Sequence, residues 1–389
     1  MRFTVRRKAA ELLAPAGPTP RELKRLSDID DQEGLRFHIP NLLFYRHDAS
    51  VNGRDPVAVV RDAVTRALVH YYPFAGRLRE LKGRKLAVDC TSEGVLFIEA
   101  DADVCLEHFG QAPQPPFPGL EELLFDVPGS SQVLGAPLVL FQVTRLSCGG
   151  FVLAVRLMHT MADAQGLVQF LSTVAELARG ATVPPLNPVW GRELLEARNP
   201  PRPGFVHREY DEVTDTNGTI QPLFLLRSQG ADEEMRMICI TSARGSKGTI
   251  PRGYYGNAFA LPVAVSTAGE LCSMQLSYAV RLVHEDKGEV DMEYMQSVAD
   301  LMVQRGRPHF TKVRAYLASD VTMSGFGKLD FGWGRPVYAD GLGSFLVPCR
   351  NAKGEDGIVI AVCLPSPAMD KFVQEMGKLL RPALIKSRL

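Results

Sequence analysis

No run of about 18 apolar residues occurs anywhere in the 389 residues, which argues against a membrane span. Net charge is also missing. Lys plus Arg equal Asp plus Glu at 44 each, so no overall field draws the chain to nucleic acid or to an anionic membrane. The cysteines (90, 105, 148, 239, 272, 349 and 363) are odd in number and contain no CxxC pair or Cys/His spacing suited to zinc. No metal site is therefore expected, and free thiols in a reducing compartment fit best. Met1 to Leu13 carries Arg2, Arg6, Arg7 and Lys8 but no continuous apolar stretch, so a signal peptide is not expected and the cytosol is. Repeats and low-complexity tracts are absent as well.

What is present is ordinary globular composition, 46% hydrophobic and 23% charged, in a chain longer than one core usually serves. Two domains and a small-molecule partner are the expectation. The first half alternates strand and helix patterns, as in a layered α/β domain. Val60, Ala63, Val64, Leu68 and Tyr71 recur at helical spacing over Val57 to Tyr72, and Pro73 stops the run. Short strands are read at Lys85 to Asp89 and Gly94 to Ala100. Leu138 to Arg145, the turn Ser147-Cys-Gly-Gly150 and Phe151 to Met158 read as a hairpin that feeds a helix from about Asp163 to Arg179. His159 falls at that strand-to-helix turn.

Pro184, Pro185, Pro188, Pro200, Pro201 and Pro203 make a regular element improbable between Gly180 and Gly204, so this stretch reads as a crossover. The expected division is residues 1–180, a crossover 181–214 and a second domain 215–389. The second half resumes with a strand at Met235 to Ser242 and a Gly-rich turn from Gly245 to Gly256. One long helix is expected near Leu271 to His284 and another near Met292 to Arg305. Strands follow at Val313 to Ser319, Phe345 to Val347 and Gly357 to Leu364, then a closing helix at Pro367 to Leu380.

The first chemical candidate is His159-Thr-Met-Ala-Asp163. Alone it also describes a hydrogen-bonded histidine beside an N-terminal helix carboxylate, and nothing nearby supplies a third metal ligand. Its position gives it weight, because side chains at such turns are held by rigid elements yet face a cleft. A neutral imidazole near pH 7 suits a general base. Three further segments accompany it: Tyr71-Tyr-Pro-Phe-Ala-Gly-Arg-Leu78, Gly253-Tyr-Tyr-Gly-Asn257 and Asp330-Phe-Gly-Trp-Gly334. In Asp-Phe-Gly a kinase magnesium segment is the rival, but the Gly-rich loop and His-Arg-Asp that a kinase requires are absent. Gly332 and Gly334 permit a tight loop, Asp330 can anchor it and Trp333 packs.

In this order the four segments closely resemble the BAHD acyltransferases over nearly the whole chain. The resemblance implies an α/β fold like that of chloramphenicol acetyltransferase, two domains of mixed sheet and helices, with His159 in a channel at their interface. It also implies a monomer that uses acyl-CoA as co-substrate, binds no permanent cofactor and transfers the acyl group to a small alcohol without an acyl-enzyme. Asp163 would turn away from the pocket and pair with Arg244 in the second domain. Coenzyme A would run along Lys247 and Arg252 on one side and Ser319 and Thr322 on the other. Leu26-Ser-Asp-Ile-Asp-Asp31 and Gly94 to Ala100 look most like the benzyl alcohol benzoyltransferases, alcohol acyltransferases and taxane acyltransferases of the family. Benzoyl or acetyl is the favoured acyl group.

Two alternatives stay open: an N-acyltransferase acting on an amine or polyamine, and a catalytically impaired member or truncated gene product. The second draws on a departure from the family pattern, since roughly 40 residues, an aromatic-rich strand and an apolar helix, have no counterpart near 211–232. Tyr338 to Phe345 also looks abbreviated. Without that helix, one face of the second sheet is expected to leave apolar side chains uncovered.

Overall fold

The computed structural model describes residues 3–51, 53–110, 117, 119–213, 230–245, 250–341, 345–350, 356–360 and 366–379. Most of the stretch near 211–232, where the sequence departs from the family pattern, lies outside them, as does Lys247.

Two mixed sheets dominate. In the first, the strands run in the order Val5–Arg7, Val95–Ala102, Val139–Leu146, Phe151–Met158, His38–Tyr45 and Tyr338–Gly341, with Glu11–Leu13 also paired to Val95–Ala102. The second runs Val263–Thr267, Glu234–Cys239, Ala315–Asp320, Phe345–Arg350 and Asp356–Ile360. A small sheet joins Leu23–Arg25, Leu86–Asp89 and Arg77–Glu80.

The hairpin Val139–Leu146 and Phe151–Met158 pairs in antiparallel register from Val139 against Leu157 to Arg145 against Phe151. These strands are buried on both faces, which explains their nearly continuous apolar sequence. Two helices cover one face. Pro56–His70 starts with proline at its first position and Asp55 as its cap, and Ala164–Ala178 is capped by Asp163. Phe141, Phe151, Phe170 and Leu171 fill the layer between helices and sheet.

Two features depart from the sequence pattern. His38–Tyr45, absent from the strands read in the sequence, is the inner strand between Phe151–Met158 and Tyr338–Gly341. Pro40 and Asn41 break its apolar alternation, so pairing and burial rather than local propensity make it a strand. The long helix expected at Leu271 to His284 is two helices, Ala268–Ser273 and Leu276–Gly288. A Thr267/Glu270 capping box starts the first early, and extended backbone at Met274 and Gln275 ends it.

The second of these helices has no buried residue, and Leu276 and Val280 are 62% and 59% exposed. Between it and the second sheet lies an apolar cleft of about 440 Å³, lined by Met235, Met237, Ala264, Val280, Val283 and Tyr316. The helix leans on the sheet without sealing it.

The halves are fastened by buried charge. Lys85 and Arg307 reach the Asp28 carboxylate at 2.6 and 3.3 Å, and Arg307 also reaches Asp31 at 2.8 Å. Arg307 follows the helix Met292–Gln304, so this cluster ties the second half to the Leu26 to Asp31 segment. Removing one member leaves buried charge uncompensated. Arg307→Ala is expected to lower unfolding free energy by about 3 to 5 kcal/mol, read by urea denaturation.

Candidate active site

The strand Phe151–Met158 ends where the backbone N–H of His159 donates to Phe37 O at 2.8 Å. Two residues after a further turn through Met161, Asp163 opens the helix. This strand, turn and helix fix the imidazole between rigid elements. Its ring makes edge contacts with Phe37 at 5.6 Å and a tilted contact with Phe259, from the second half, at 6.0 Å. A narrow, mostly apolar cleft opens beside it, lined by Ile39, Asn41 and Leu167 from the first half and Val321 and Phe326 from the second.

Burial lowers the pKa of His159 below its ordinary 6.5, while its own backbone, Asp163, Asn257 and Asp30 oppose the shift. The neutral ring is thus favoured near pH 7. Nδ1 is buried and has no hydrogen-bond partner among the described residues, and the His159 side chain lines the cleft.

Asp163 does not hydrogen-bond to the ring. Oδ1 accepts from Gly166 N at 2.9 Å as the helix cap, and Oδ2 accepts from Arg244 Nη1 at 2.5 Å and from Ala258 N at 3.1 Å. Arg244 Nη2 in turn donates to Gly256 O at 2.5 Å. The carboxylate therefore joins the helix that follows His159 to the Thr241 to Asn257 segment.

Asn257 makes a second tie that the sequence did not single out as a chemical residue. Its Nδ2 donates to His159 O and to Asp30 Oδ1, both at 2.8 Å, and its backbone N donates to Asp30 Oδ1 at 2.9 Å. Arg192, 1% exposed, sets its Nε 3.4 Å from Asp30 Oδ2 and donates from Nη2 to Met161 O at 2.7 Å. Its guanidinium lies 4.5 Å from the Trp190 ring and 5.2 Å from those of Tyr254 and Tyr255. The proline-rich crossover gave no signal for Arg192. For Asn257 the signal was its place in the Gly-Tyr-Tyr-Gly-Asn segment, and for Asp30 its place in an acidic run flanked by apolar residues.

Gly256 explains part of that segment's composition, because a Cβ there would fall 1.0 Å from Arg192 Nη1. The Tyr71 to Leu78 segment meets it from below, with Tyr255 5.1 Å from Tyr71 and 5.5 Å from Phe74.

The Asp330 to Gly334 loop closes on itself. Asp330 Oδ1 accepts from Gly332 N at 2.7 Å and Gly334 N at 3.0 Å, and both glycines have positive φ. Phe331 is fully buried against Tyr45, and Trp333 packs edge-on to Phe151 at 5.3 Å. Arg179 donates to Asp330 O at 2.6 Å. These contacts hold the loop to the back of the first sheet and the helix Ala164–Ala178.

The expected coenzyme side is less assembled. Arg252 is exposed, Ser319 is buried, and the Thr322 hydroxyl donates to Asp320 at 2.6 Å. It is Val321, between those two, that lines the cleft.

Gly256→Ala is expected to destabilise the chain and cut activity together, since Arg192 must leave its seat between Asp30 and the aromatic rings. Thermal melting beside turnover checks this; an unchanged melting midpoint contradicts it.

Comparison with known proteins agrees with this architecture. The family model described as Transferase family matches residues 3–228 and 226–379. Benzyl alcohol O-benzoyltransferase of Petunia hybrida is 54% identical, covering 97% of this chain and 94% of its own length. Alcohol acyl transferase 1 allele GSa of Malus domestica is 47% identical over 96% and 94%. The Petunia alignment runs over 433 positions, more than the 389 residues here, so that relative carries stretches without a counterpart in this chain. Among solved structures, vinorine synthase superposes with TM-score 0.62 at 20% identity, covering 91% of this chain and 93% of its own. TRI101 of F. graminearum, complexed with coenzyme A and T-2 mycotoxin, also gives 0.62, at 14% identity over 92% and 98%. Matched by that family model through both halves, and by relatives about half identical over nearly its whole length, the chain belongs to the BAHD acyltransferases, the Transferase family.

Proposed function

We propose that the protein transfers an acyl group from acyl-CoA to the hydroxyl of a small alcohol, with His159 as general base. The single observation that carries this is the imidazole at the strand-to-helix turn, favoured as the neutral form by burial and lining an apolar cleft between the two halves. The relatives' names support an alcohol as acceptor, and the Petunia relative's name supports benzoyl; benzoyl or acetyl is the acyl group proposed here.

In the reaction, the acceptor oxygen attacks the thioester carbonyl while Nε2 takes its proton. The tetrahedral oxyanion then collapses, expelling the coenzyme A thiolate, which recovers the proton from the imidazolium. Asp163 has no part in this transfer: it positions His159 by fastening the following helix to Arg244. No cysteine is needed as a nucleophile, because the thioester arrives activated. Coenzyme A is an anion, and Lys247, Arg252, Ser319 and Thr322 are the residues proposed for its side of the cleft.

His159→Ala is expected to lower thiol release by about 10² to 10⁴ with circular dichroism unchanged. In the wild type, the ring must be deprotonated to act, so activity falls as pH drops through its folded pKa. With that pKa lowered, the acid limb of kcat/KM should fall below pH 6.5 and be absent in His159→Ala. A wild-type rate from the alanine variant overturns the assignment. Benzoyl-CoA and acetyl-CoA against a panel of alcohols and amines, followed by free thiol, separate the O- and N-acyl readings.

We further place the residues without counterpart near 211–232, ahead of the strand Glu234–Cys239. The open cleft under Leu276–Gly288 supports this placement. Uncovered apolar surface favours association. The chain as it stands is expected to elute as large species in size-exclusion chromatography or to turn over weakly. A version carrying the Petunia relative's intervening segment should be monodisperse and faster. A monodisperse, fully active chain without the insertion shows that segment to be dispensable.

A further inference from the structure

We propose that Cys105, Glu107 and Cys148 form a surface site for a thiophilic divalent cation of the zinc class, apart from the acyl-transfer cleft. Their two sulfurs and a carboxylate oxygen all lie within 4.8 Å of one another. Ligands on a tetrahedral zinc ion stand about 3.5 to 3.8 Å apart, as follows from bonds of about 2.3 Å to sulfur and 2.0 to 2.2 Å to oxygen. Closing that gap of about 1 Å needs only side-chain rotation. Cys105 and Glu107 are exposed and Cys148 is half-buried, so both rotation and entry are open.

The backbone beneath them is fixed. The loop after Val95–Ala102 and the turn between Val139–Leu146 and Phe151–Met158 are joined by Ser147 N donating to Val104 O at 3.0 Å. Val104, Leu106 and Leu146 anchor both segments in one buried cluster, against which Cys148 also packs. Leu106 N donates to Cys148 Sγ at 3.3 Å, and Ser147 Oγ lies 3.2 Å from Cys105 Sγ. These contacts fix where the two sulfurs stand relative to each other.

Glu107 has a rival partner in Arg46, whose Nη1 is 3.7 Å from Oε1; both are more than 60% exposed. Ion pairs of that kind are weak and yield readily. His47 packs against the same turn, its Nδ1 2.7 Å from where a Cβ on Gly149 would stand, but is not part of the three-ligand cluster. Spacing alone could not reveal the site, because its two thiols come from separate strand connections in the sequence.

The test uses the full chain, reduced and freed of metal, titrated with Cd²⁺ by its thiolate-to-metal ultraviolet band and with Zn²⁺ by calorimetry. One equivalent should bind, disappear in the Cys105→Ser/Cys148→Ser double variant, and weaken about tenfold or more in Glu107→Gln. Cys105→Ser alone, at an exposed position, should keep the wild-type circular dichroism and lose the band. Equal stoichiometry and affinity in wild type and double variant overturns the site. So does a reduced chain that binds no metal yet yields a Cys105–Cys148 disulfide on peptide mapping after treatment with hydrogen peroxide.

Discussion

The Asp163 carboxylate is shared between two halves of one machine. One oxygen caps the helix that follows His159, and the other accepts from Arg244 and from the backbone of Ala258. A buried ion pair is stabilising only when its remaining lone pairs and N–H groups are satisfied, because desolvation otherwise exceeds the Coulombic gain. Here both carboxylate oxygens are engaged, and Arg244 spends its second nitrogen on Gly256 O. The result is a latch rather than a charge relay. It fixes the turn on which His159 sits, and one layer deeper Asp30, Asn257 and Arg192 make a second, less fully satisfied tie, gripping His159 and Met161 through their carbonyls while Arg192 Nε and Nη1 and Asn257 Oδ1 have no hydrogen-bond partner among the described residues.

Burial of this kind explains why four segments scattered through the chain recur together. Gly256 is small because Arg192 fills the space beside it, and Gly166 is small because a Cβ would fall 2.1 Å from Tyr255 O. Tyr71 and Phe74 meet Tyr255 from the first half. The Asp330 loop, by contrast, is tied to Arg179 and the aromatic face of Tyr45 and Phe151. It serves the frame in which the latch is set.

Much of this was legible in sequence wherever local pattern and tertiary demand coincide. The helix Ala164–Ala178 has a carboxylate cap, an apolar stripe and a terminal glycine, and all three pointed to it. His38–Tyr45 was not legible, since Pro40 and Asn41 sit in an inner strand that only its neighbours hold extended. The break at Met274 and Gln275 was hidden because apolar periodicity continues across it. Of the site, His159, Asp163 and Arg244 were found through motif and resemblance. Arg192 lay in a proline-rich crossover, where no periodicity marks a buried guanidinium. Asn41 faces the cleft from the strand that was missed, so its presence there could not be read either.

The second sheet and the latch pull in opposite directions: Arg244 depends on a half of the molecule whose helix Leu276–Gly288 buries no residue. We therefore propose that the Asp163–Arg244 pair, together with the Asn257 tie, positions His159. A double-mutant cycle measures this directly, with Asp163→Asn, Arg244→Gln and the double variant compared for unfolding free energy and for kcat. The account predicts strong coupling, with either single variant losing nearly as much stability and turnover as both together. Additive losses, or single variants with wild-type kcat, would contradict it.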